Sequence, residues 1–100
     1  MTALDRQLLA ERAATLERHL ERIATHLPPR PEDLAPGDAC DVVILHLWQA
    51  VQLVIDLALS ACSDLRLGTP ASYADAFVRL ASAGKLDAEL AQRLARAAGL

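Results

Sequence analysis

The sequence predicts an all-α protein, an antiparallel helical bundle organised around one long apolar helix. Composition points there first: the chain is 53% hydrophobic but only 3% aromatic, so Ala, Leu and Val must fill the interior, and Ala and Leu are strong helix formers. Apolar residues also recur at three- and four-residue steps, the repeat of one helical face. Finally, Pro and Gly fall between the periodic runs rather than inside them. One hundred residues suit a single domain spanning 1–100. A lone helix pair cannot bury so much apolar surface, so the expectation is a compact bundle extended by self-association.

The first helix is expected from Thr2, whose hydroxyl would cap the next turn with Asp5 reaching back. Leu4, Leu8, Leu16, Leu20, Ile23 and Leu27 make one apolar stripe, with Ala13 filling its gap. Arg6, Glu11, Arg12, Glu17, Arg18, Glu21 and Arg22 form a mixed-charge solvent face. Pro28 and Pro29 end the helix, because a residue before proline is pushed out of the α region. Residues 28–38 contain four prolines and Gly37 and read as an ordered, irregular connection.

The central helix is expected from about Ala39 to Arg66, with Asp38 as its N-cap and Asp41 in a first turn that favours negative charge. Apolar residues from Val42 to Leu59 surround most of it, which predicts burial on nearly all sides. The polar exceptions His46, Gln49, Asp56, Ser60 and Ser63 stay on one face, with Gln52 at its edge. Leu67-Gly68 is expected to end the helix in a left-handed cap. Ser72 and Asp75 predict a capping box for a third helix through Ala83, with Tyr73, Phe77 and Leu80 inward. Asp87 caps a fourth helix through about Ala97, with Leu86, Leu90 and Leu94 inward.

Net charge is −3, and no segment has the dense basic run of a sequence-independent nucleic-acid binder. Asp5, Arg6, Glu11 and Arg12 interrupt the N-terminus before any secretory signal could form, which points to the cytoplasm. The run from Val42 to Ile55 is interrupted by His46, Gln49 and Gln52 and falls short of the roughly 20 apolar residues of a membrane span. Cys40 and Cys62 lie about 33 Å apart on a continuous helix and cannot bridge.

No metal site is expected, since Cys-x-x-Cys, His-x-x-x-His and Glu-x-x-His pairs are all missing. His19 and His26 read as exposed helix histidines, and no cofactor is implied. The polar stripe of the central helix is the candidate site. Asp56, with Gln52, Gln49 and His46 as cleft-lining candidates, would need a partner if it lies in apolar surroundings. The alternative is that His46, Gln49, Asp56 and Ser60 form only the solvent-facing or interface-facing strip of an otherwise buried helix.

The segments Leu47-Trp48-Gln49-Ala50-Val51-Gln52-Leu53-Val54-Ile55-Asp56, Leu67-Gly68-Thr69-Pro70-Ala71-Ser72-Tyr73-Ala74-Asp75-Ala76-Phe77 and Leu80-Ala81-Ser82-Ala83-Gly84-Lys85-Leu86 resemble the HepT group of HEPN domains. The resemblance covers about Asp38 to Leu100. It implies a homodimeric helical bundle that acts as the ribonuclease toxin of a bacterial toxin–antitoxin pair and cuts RNA without metal. It also implies a partner, a minimal nucleotidyltransferase antitoxin of the MntA type, which silences the toxin by adding AMP to a tyrosine.

In that family an Arg-Asn pair, a His a few residues on and a following Tyr carry the chemistry, directly after the step that here is Gly99-Leu100. The expectation is therefore a scaffold that stops before the catalytic Arg-x(4–6)-His motif, with no catalytic residue to carry over. Asp56 and Gln52 would face the catalytic helix. The alternative is a catalytically inactive dimerisation module that docks a minimal nucleotidyltransferase.

Overall fold

The structure is a computed structural model that describes residues 3–99, with side chains described for residues 5–99. The expected Thr2 cap and Leu100 lie outside the described residues. The elements are α1 (Ala3–His26), a short 3-10 turn (Pro31–Asp33), α2 (Asp38–Asp64), α3 (Tyr73–Ser82) and α4 (Ala88–Ala98). Among the described residues there is no strand, and the protein is all-α. The chain divides into two compact units, one reaching to Leu53 and the other starting at Val54.

In the first unit, α1 closes with the Leu27 N–H donating to the Ile23 carbonyl at 2.9 Å, after which Pro28 and Pro29 stop it. Arg30 then grips Asp33 with two hydrogen bonds, Nε to Oδ2 at 3.0 Å and Nη2 to Oδ1 at 3.2 Å. That exposed clasp shapes the turn. The Asp41 N–H donates to the Gly37 carbonyl at 2.9 Å, so Asp38 sits inside the first turn of α2 rather than capping it. Its carboxylate still favours the helix dipole. Val43 and Ala50 are buried, whereas Leu8 and Leu20 of the expected α1 stripe are exposed. Leu16, Ile23 and Leu27 are half-buried.

The expected burial of the central helix fails. Only 22% of its most apolar stretch is buried, and Ile44, Leu45, Leu47 and Trp48 are each more than half exposed, Trp48 at 63%. Apolarity around a helix shows what it avoids in water, and does not ensure that one short chain supplies enough partners. By length and composition α2 also passes as a candidate membrane span, which corrects the expectation that it is too short. That alone is weak evidence, since long apolar helices of other kinds meet the same test.

In the second unit, Phe77 and Cys62 are the largest fully buried side chains, with Ile55, Ala58, Ala76, Leu80 and Ala91 around them. Phe77 and Leu80 point inward as expected. Tyr73 and Leu90 do not, at 52% and 45% exposure, and Ala76 and Ala91 take the inward places. Small residues there let α3 and α4 pack against each other.

The C-terminal ends of α2 and α3 close by the same hydrogen-bond pattern. For α2, Leu67 N–H donates to Cys62 and Arg66 N–H to Ser63, and for α3, Lys85 N–H donates to Leu80 and Gly84 N–H to Ala81. The left-handed position is Gly84 in α3 but Arg66 in α2, with φ of 72° and 54°. The left-handed cap expected at Gly68 therefore falls two residues earlier, at Arg66, and Gly68, at φ 87°, serves the following turn.

Candidate functional site

Two arrangements hold most of the polar side-chain contacts that reach beyond a single turn. The first is a histidine cluster in the unit that ends at Leu53. His19 of α1 and His46 of α2 bring their Nδ1 atoms to 2.8 Å, with ring centroids 5.1 Å apart and planes tilted by 44°. One Nδ1 donates and the other accepts, so a single proton sits between the rings. His26, two turns beyond His19, donates from Nδ1 to the Arg22 carbonyl at 2.8 Å. Desolvation holds the His46 imidazolium form down, and His19, Arg22 and His26 push in the same direction.

These positions correct the expectation that His19 and His26 are exposed, since both are half-buried. They also divide the expected cleft-lining stripe. His46 turns to α1, Gln49 is half-buried, and Gln52 and Asp56 are exposed. At about 100° per residue, His46 and Asp56 lie about 80° apart around the helix. That is enough for one to meet α1 while the other meets water. An exposed Asp56 needs no buried partner.

The second arrangement fixes the loop between α2 and α3. The Asp75 N–H donates to Ser72 Oγ at 3.0 Å, the forward half of the expected capping box. The Asp75 carboxylate reaches one residue further back than the box requires and accepts from the Ala71 N–H at 2.8 Å. It also accepts from Arg79 Nε at 2.8 Å, and Arg79 Nη1 donates to the Leu67 carbonyl at 2.8 Å. The Ala71 bond, then the Arg79 bond, holds the Asp75 carboxyl below the usual range. Gly68 is required here by its positive φ, and a Cβ on it would come within 2.9 Å of Arg79 Nη1, the movable end of that side chain.

An open groove beside this loop is lined by Leu59, Cys62, Ser63, Arg66, Gly68, Thr69 and Pro70. It holds no acid–base pair. The Cys62 thiol is fully buried and contacts the Ala76 carbonyl at 3.5 Å, and burial pushes its pKa up, which keeps it an inert thiol. Cys40 and Cys62 are both free. Among the described residues no group of three or more His, Cys, Asp or Glu side chains is placed to hold a metal ion.

The family model described as Ribonuclease HepT-like matches residues 13–100. The chain belongs to the HepT-like ribonuclease family. No curated protein and no solved structure matched it. Within this HepT-like chain, the residues that carried the resemblance are largely structural: Gly68 makes the turn, Ser72 and Asp75 start α3, and Gly84 ends it.

One spacing escaped the sequence reading. Arg12 and His19 on α1 are separated by six residues, which satisfies Arg-x(4–6)-His as a spacing alone. Ala13 follows Arg12 where the family has Asn, and no Tyr follows His19. The His19–His46 contact joins residues 27 apart in sequence, and no local pattern signals it.

Proposed function

We propose that this chain is the helical frame of a HepT-like ribonuclease toxin of a bacterial toxin–antitoxin pair, working as a homodimer in the cytoplasm and silenced by a minimal nucleotidyltransferase. The observation that carries this reading is the outer face of α2. Leu45, Trp48 and Gln52 are spaced by three and four residues, and Leu45 and Trp48 are 52% and 63% exposed. A face of that kind is costly in water and favours association. A second copy presents the same face, so two-fold contact buries both at once.

Among the described residues, the Arg-Asn, His and Tyr of the family have no counterparts in their family order, and this favours a second reading as an inactive docking module for the nucleotidyltransferase. Co-expression with a minimal nucleotidyltransferase, followed by an RNA cleavage assay on the free chain, separates the two. Capture with cleavage supports the toxin, and capture without cleavage supports the docking module. A chain that neither self-associates nor captures the enzyme contradicts both.

A further inference from the structure

All three histidines of the chain belong to one neighbourhood, and the charged groups that act on His46 are His19, Arg22 and His26, with no carboxylate among them. The reason lies in the register of α1. Arg18 or His19, then Arg22, then His26 follow at steps of three or four, which stacks them along one face. Glu17 and Glu21 stand two residues either side of His19, on the far side of the helix from it, and Glu21, three residues after Arg18, borders only the Arg18 edge of the row. A segment that looks charge-balanced in sequence is therefore cationic on one face. Arg18 steadies that face by donating from Nη2 to Thr15 Oγ1 at 3.0 Å, while Arg22 forms no ion pair among the described residues.

We propose that the α1 face carrying Arg18, His19, Arg22 and His26, closed by His46 of α2, holds the phosphate backbone of single-stranded RNA and holds it more tightly as pH falls. The inference rests on the ribonuclease reading for the choice of polyanion. Charge complementarity supports it: guanidinium groups match phosphate oxygens in pairs, and histidines add charge only when protonated. Successive turns place these cations about 5.4 Å apart along α1, a single row suited to one strand. A duplex needs contacts spread across two grooves.

The test is fluorescence anisotropy of a short, end-labelled single-stranded RNA with the full chain. Wild type, Arg18→Gln/Arg22→Gln and the α4 control Arg93→Gln/Arg96→Gln are compared, each first checked for helical content by circular dichroism. The α1 variant is expected to bind at least about tenfold more weakly and to show a shallower salt dependence, and the control to change less than about twofold. Wild-type affinity should rise several-fold from about pH 7.5 to about pH 5.5, and His19→Gln/His46→Gln should flatten that rise.

Equal weakening in the α1 and α4 variants, a pH-independent wild type, or tighter binding of polyglutamate than of RNA overturns the proposal. Self-association and nucleotidyltransferase capture are measured on the same preparations. If they persist while RNA affinity ignores α1, the RNA track fails and the toxin reading stands. If they are missing while the α1 dependence holds, the track stands and the toxin reading fails.

Discussion

His19 on α1 and His46 on α2 meet through their Nδ1 atoms at 2.8 Å, a contact that holds one proton and tolerates two poorly. Desolvation, then the charges of His19, Arg22 and His26, hold the His46 pKa below the ordinary histidine value. The unfolded chain therefore binds a proton at this position more readily than the folded one. The stability this contributes is fully present above about pH 6.5 and is lost as pH falls from there through the lowered folded value. Urea midpoints should decline across that window, and His46→Gln should lessen the decline. An unchanged pH slope in the variant would contradict the account.

Arg79 joins α3 to the preceding loop in two directions, to the Asp75 carboxylate and to the Leu67 carbonyl. Arg79→Ala removes both and should cost about 1–2 kcal/mol, less than a buried charged pair because the Arg79 and Asp75 side chains keep 36% and 28% of their exposure. The Asp75 carboxyl is held below its usual range, so its contribution is present above about pH 4 and is lost as pH falls through the lowered value. Thermal denaturation of the variant at neutral and acid pH checks both. The difference from wild type should shrink in acid.

Phe77 and Trp48 are both large aromatics in apolar helices, yet they sit at 2% and 63% exposure. Phe77→Ala should destabilise the fold by about 3–5 kcal/mol. Trp48→Ala should change the stability of the dissociated chain by less than about 1 kcal/mol. Chemical denaturation at low protein concentration makes the comparison. Similar losses at the two positions would mean that Trp48 is buried within its own chain.

The caps of α2 and α3 differ by one residue type at the left-handed position. Arg66, at φ 54°, carries a Cβ where glycine would carry none, so Arg66→Gly should stabilise the protein by up to about 1 kcal/mol. Gly68→Ala should do the reverse by about 1 kcal/mol, because its positive φ strains any residue with a Cβ. Melting temperatures that move in opposite directions would support the assignment.

What the sequence made legible was local. Pro28-Pro29, the Ser72 and Asp87 caps and the Gly84 stop all act within a few residues, and α1 to α4 fall close to where they place them. Leu90 and Tyr73 were misread because periodicity identifies an apolar face without saying how far the neighbouring helix extends along it. The burial of α2 was misread for a related reason, since its surplus of Leu, Ile and Val is apolar toward whatever it meets, including water. His19 and His46 are 27 residues apart, so their pairing depends on how two helices approach. Asp56, the leading candidate, is exposed.

The measurement that bears most directly on the central claim is the mass of the protein in solution, by sedimentation or light scattering across a concentration series, for wild type and for Leu45→Glu/Trp48→Glu. A HepT-like frame that associates through the outer face of α2 predicts twice the 10.7 kDa chain mass for wild type. For the variant it predicts the chain mass itself, with helical content retained. A wild-type protein that stays monomeric throughout the series, or a variant that dimerises as well as wild type, would contradict it.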